Sequence, residues 1–241
     1  MTTLTAITSG QIDAESFIDT TLAGQWANNT LATLAGQWAN NTLAISEGDA
    51  SASAYRILIA ALEDSIKPWV LIEEIEAASD ATIDFEALGT YDRYMIVIDD
   101  GHPATDGVHL SMRVGTGGTP TYQTADYRYC TQSNKVDDVD DTFTQSNQTS
   151  TAQMLLTVSN SIGNAAPERV QSIITFSEPL NAVGDKLFKA CTQHLGTTGI
   201  AAYSNMNVGS WDSQTAITAI RLYFSSGNVD HGKFSLYGLR L

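Results

Sequence analysis

The chain has 241 residues, 43% of them hydrophobic and only 16% charged, with Thr, Ser, Asn, Gln and Ala filling the space that ions usually take. Its net charge of −15, from 27 acidic and 12 basic residues, repels phosphate backbones and anionic bilayers, which argues against nucleic-acid binding. Apolar runs such as Tyr94–Ile98 are far too short to cross a bilayer, and Met1–Gly10 lacks the basic-then-apolar pattern of a secretory leader, so no membrane insertion is expected.

The first feature along the chain is an exact tandem repeat: residues 21–32 (TLAGQWANNTLA) recur as residues 33–44. Two copies are too few for a solenoid. In a helix, twelve residues turn the face by about 120° net, so the stripe of Leu22 and Trp26 does not line up with that of Leu34 and Trp38. A helix of this kind is apolar on several sides and calls for partners on more than one of them. Alternatively, the Asn pairs at 28–29 and 40–41 break it into two short helices. After a break at Glu47–Ser51, the residues Tyr55, Leu58, Ile59, Leu62 and Ile66 define one helical face, which Pro68 ends. Residues 1–67 therefore read as a helical oligomerisation and anchoring segment, with Leu22, Trp26, Leu34 and Trp38 as its interface anchors.

From Trp69 the period changes to two. Short alternating runs follow at Trp69–Ile72, Ile83–Phe85, Met95–Val97, His109–Val114, Tyr127–Cys130, Met154–Val158, Val170–Phe176, Lys186–Cys191, Ala201–Tyr203, Ile220–Phe224 and Lys233–Leu239. Turn signals such as Asp106-Gly107 and the glycine-rich stretch 115–118 separate them. This pattern predicts a mainly β domain over 68–241, a jelly-roll-like antiparallel β-sandwich. The polar, acidic stretch Thr131–Gln153 reads as an exposed loop. Cys130 and Cys191 fall in strand-like stretches and are expected to be buried free thiols.

Two sets of segments carry a resemblance. The first is residues 7–13 (ITSGQID), Phe17–Leu22, the QWANN unit and Leu43–Asp49. The second is Ala81–Ile98, His102–Gly107, Leu110–Arg113, Tyr127–Tyr129 and Gly232–Leu239. Together they resemble bacteriophage virion surface proteins of the tail-fibre or head-fibre type, in which a short helical segment precedes a β domain. The resemblance implies a homotrimer at the surface of the particle, made in the bacterial cytoplasm and joined to other virion proteins through the N-terminal segment. The doubled twelve-residue unit departs from that pattern.

The search for chemistry turns up little. None of His102, His109, His194 and His231 forms a metal-ligand pair at helical spacing, so neither metal nor other cofactor is expected. The cluster Asp99, Asp100, His102, Asp106 and His109 reads as a polar turn rather than a metal or acid–base site. The acidic run Asp137–Asp141 lacks the glycine and distal glutamate of an EF-hand loop. Glu73, Glu74 and Glu76 alternate faces in a strand-like segment, and there is no nucleophile elbow or phosphate-cradling loop. Tyr203, Asn205, Trp211 and Asp212 mix aromatic and hydrogen-bonding groups in a loop-like run, the composition of a glycan site, with Trp211 as a core plug as the plainer reading. The expected function is a non-enzymatic structural subunit of a phage particle, associated with a tail or fibre and contacting host glycans. The alternatives are a head-decoration (cement) protein and, further off, a polysaccharide-degrading enzyme.

Overall fold

Alternating apolar and polar residues become thirteen strands and, among the described residues, no helix. The structure is a computed structural model, and it describes residues 69–86, 88–89, 91–137, 141–157 and 161–239. The repeat, the helical face at Tyr55–Ile66 and the anchors Leu22, Trp26, Leu34 and Trp38 lie outside those residues.

The strands are β1 (Val70–Asp80), β2 (Ile83–Phe85), β3 (Arg93–Pro103), β4 (Leu110–Thr116), β5 (Thr121–Tyr122), β6 (Tyr127–Val136) and β7 (Thr142–Thr151). They continue with β8 (Met154–Leu155), β9 (Val170–Ser177), β10 (Lys186–Leu195), β11 (Ala202–Trp211), β12 (Ala219–Phe224) and β13 (Val229–Leu239). An eight-stranded sheet runs β1-β13-β3-β9-β10-β11-β6-β7, and a five-stranded sheet runs β2-β12-β4-β5 with β8 also on β4. The pairings are antiparallel throughout.

One core joins the sheets into a sandwich. Period-two patterning sends alternate side chains inward: in β10, Phe188 and Ala190 are buried while Leu187 and Lys189 face out. Tyr94, Phe176 and Phe188 form an aromatic column with ring centroids 5.3 and 5.5 Å apart. From the small sheet, Met112, Val114, Ile220 and Leu222 complete the core. Tyr127 on the large sheet reaches across it, and its hydroxyl accepts the N–H of Val114 in β4 at 2.8 Å and donates to the carbonyl of Gln123 at 3.3 Å. Burial pushes this phenol up to about 12, an effect the Val114 hydrogen bond partly offsets.

Two sequence expectations are corrected. The stretch read as a loop, Thr131–Gln153, is mostly strand: β6 runs on to Val136 and pairs over its length with β7. The edge strand β7 has no apolar alternation because nearly all its side chains are exposed, and its β-branched threonines suit an extended backbone. The run 203–212, read as loop-like, is strand as far as Trp211, in register with both β10 and β6.

Candidate interaction face and histidine cluster

The sequence-predicted glycan residues do not face solvent together. Tyr203, Asn205 and Trp211 occupy inward positions on β11 and are buried. Tyr203 stacks on His194 with centroids 4.9 Å apart. The Asn205 amide lies 3.2 Å from His194 Nδ1. Asp212 follows the strand and pairs with Arg128. Their aromatic faces are spent inside the sandwich, so this set offers no stacking platform.

The outward side of the same strands is the distinctive surface. In-register pairing places Ile173, Cys191 and Met206 in one row across β9, β10 and β11. The next row holds Thr175, Lys189, Val208 and Cys130. Ile173, Leu187, Met206 and Val208 are 48%, 66%, 47% and 59% exposed, far from what a solvated antiparallel face would choose. The outward residues of β6, β9, β10 and β11 include no acid, although the chain carries 27, and their only charges are those of Lys189 and Arg128. Both cysteines are free as expected, but neither is buried: Cys191 is exposed and Cys130 half-buried on this face. An alternating strand looks the same from either side, so sequence alone could not say which face each thiol took.

Acidic charge collects instead on β1, the strand at one edge of the same sheet, through Glu73, Glu74, Glu76 and Asp80. Partial burial raises the Glu73 carboxyl above its ordinary range, and Glu86 adds to the shift. Asp137 pairs with Lys135 at 2.5 Å, and residues 138–140 of the acidic run lie outside the described residues.

A second site lies where β3 and β13 are both irregular. The register of β3 on β9 slips between Ile98 and Gly101, and that of β13 on β3 slips on either side of His231. Gly232 closes this bulge at φ +129°, where a Cβ would stand 2.8 Å from the Asp100 carbonyl oxygen and the Gly101 Cα. The bulge sets His231 directly opposite His102, with the imidazoles stacked at 4.5 Å and 12°. Asp230 Oδ2 lies 3.0 Å from His231 Nδ1 and 3.7 Å from His102 Nδ1. The sequence grouped His102 with Asp99, Asp100, Asp106 and His109. The structure instead gives Asp100 to Arg169 at 2.6 Å and brings His102 to Asp230 and His231 on the last strand. Bulges leave no period in a single sequence, so nothing in the spacing pointed to this grouping.

No helix among the described residues is long and apolar enough to cross a membrane. No protein-family model matches the chain, and no curated protein matches it significantly.

Proposed function

We propose that this chain is a non-enzymatic structural subunit of a bacteriophage particle, assembled from several copies, with the outward face of the eight-stranded sheet as the contact between them. The acid-free apolar face carries this reading. A chain of net charge −15 repels its own copies. The surface spanning Ile173, Met206 and Val208 is where a neighbour can settle without bringing carboxylates together. The occupant is a second copy, because the chain also holds the complement. The acidic edge β1 of one copy matches Lys189 on the face of the next. Joining two different patches is a heterologous contact, which forms a ring when its rotation closes, and a rotation closing at three copies agrees with the trimer that the sequence resemblance implies.

Tail or fibre attachment is the preferred position on the particle and follows from the resemblance; a head-decoration role is the alternative. If host glycans are contacted, the amide- and hydroxyl-rich edge β7 supplies solvent-facing hydrogen-bonding groups that the buried Tyr203–Trp211 set does not.

Sedimentation of the full chain over a range of concentrations tests the assembly. A trimer is expected, and a monomer at about 50 μM would overturn the reading. Gold labelling of intact particles then separates tail from head.

A further inference from the structure

His102 is 7% exposed, and its Nδ1 is buried without a hydrogen-bond partner. Its other ring nitrogen, Nε2, lies 3.3 Å from the carbonyl oxygen of Ala165, which can only accept. That contact puts the ring proton on Nε2 and leaves Nδ1 of the neutral imidazole as a bare lone pair. The lone pair faces Asp230 Oδ2, another electron donor, at 3.7 Å, too far for a hydrogen bond. Two acceptors facing each other, one of them shut off from water, call for a cation between them. The basic side chains nearby in sequence or register are engaged elsewhere: Arg169 pairs with Asp100 at 2.6 Å and Lys233 with Glu74 at 3.2 Å.

We propose that His102, Asp230 and His231 form a site for a divalent first-row transition metal, with Zn²⁺ as the representative ion, bound through His102 Nδ1, Asp230 Oδ2 and His231 Nδ1. These three atoms lie within 4.8 Å of one another. Two imidazoles and one carboxylate suit Zn²⁺, Ni²⁺ or Cu²⁺ and disfavour Mg²⁺ and Ca²⁺, which take oxygen ligands. The Ala165 carbonyl acts as the outer-shell acceptor that fixes a ligating histidine's tautomer and orientation. Binding requires one movement. Nearly parallel rings cannot both aim in-plane lone pairs at one ion, and Zn–N bonds run to about 2.0–2.1 Å. The side chain that turns is His231, which is 49% exposed, whereas His102 is held by burial and by Ala165. In turning it gives up its Nδ1 proton and its hydrogen bond to Asp230, and the metal replaces both. Asp230 is equally exposed, so the remaining coordination positions open to water. The bound ion pins β13 to β3 at the bulge.

The test uses the full chain, stripped with a chelator and titrated with Zn²⁺ against a chromophoric competitor. Uptake of about one ion per chain is expected, with affinity lowered at least about tenfold by His231→Gln and by Asp230→Asn. His102→Gln removes a buried side chain and can unfold the protein, so the two exposed variants carry the test, with far-ultraviolet circular dichroism as the check on folding. Stoichiometric Zn²⁺ is also expected to raise the melting temperature of the native chain and not that of His231→Gln. No uptake at about 100 μM free Zn²⁺, or uptake unchanged in both exposed variants, overturns the site and leaves a proton or a water as the cation's replacement.

Discussion

On the outward side of the five-stranded sheet, Asp84, Arg221 and Arg113 stand side by side across β2, β12 and β4. Asp84 takes two hydrogen bonds from Arg221, at 2.8 and 2.6 Å, and the guanidinium lies 3.6 Å above the Tyr122 ring. Arg113 reaches the carbonyl of Ala152 and the side chain of Gln153, which also accepts from the Tyr223 hydroxyl. The outward side of the eight-stranded sheet has no such ladder at its centre and shows Ile173, Met206 and Val208 to solvent. The small sheet pairs the side chains of Asp84, Arg221, Arg113, Gln153 and Tyr223 on this side within the chain. The large sheet leaves apolar area uncovered, at roughly 25 cal/mol for each Å² that a second copy could shield. Under the proposed assembly, uncovered apolar area and missing acid on the same strands mark the large face as the contact surface.

The most forceful way to break this contrast is to make the large face resemble the rest of the surface. Met206→Asp combined with Val208→Asp is expected to weaken self-association by more than about 100-fold and leave the melting temperature nearly unchanged, read by sedimentation and thermal melts. The matching change on the small sheet, Arg113→Ala, should leave association untouched.

Tyr127 joins the two sheets across the core, and its ionisation tests how firmly. Burial raises its folded pKa to about 12 from the ordinary phenol value of 10.0, so its stabilisation is complete below pH 10 and is lost as pH climbs towards 12. A loss of roughly 2–3 kcal/mol is expected over that window in urea titrations, and Tyr127→Phe should flatten that part of the profile.

Asp84→Ala strands a half-buried guanidinium on the small face. A cost of about 1–2 kcal/mol is expected, with a double-mutant cycle against Arg221→Ala showing that most of it is pairwise. On the large face Leu187 makes no such partnership. Leu187→Ser should move stability by no more than about 0.5 kcal/mol, a result that would confirm how little this face contributes to the fold of a single copy.

Much of the β body was legible because burial writes a period of two into the sequence. Val170–Ser177 and Lys186–Leu195 show it plainly, one face for the core and one for the outside. Legibility failed where burial was absent or the backbone irregular. The strand β7 buries almost nothing, so its threonines, serines and glutamines looked like a loop. On β11, alternation ran through Asn205 and Asn207, buried amides that satisfy partners inside the sandwich, such as the Leu156 carbonyl 3.0 Å from Asn207. Polar residues at core positions hide a strand from any pattern based on hydrophobicity. The histidine cluster was invisible for a third reason: it depends on which strand lies beside which and on two bulges, and neither leaves a local signature.

Of the described strands β13 is made last, yet it lies between β1 and β3. During translation, therefore, the earliest strand of the sheet cannot dock onto its body, because the element that separates them has not yet emerged. Until then, β1 and the flank of β3 wait with unsatisfied backbone amides and carbonyls, a hazard for misassembly between nascent chains on neighbouring ribosomes. The acidic side chains of β1 are well placed to keep such waiting strands apart by repulsion.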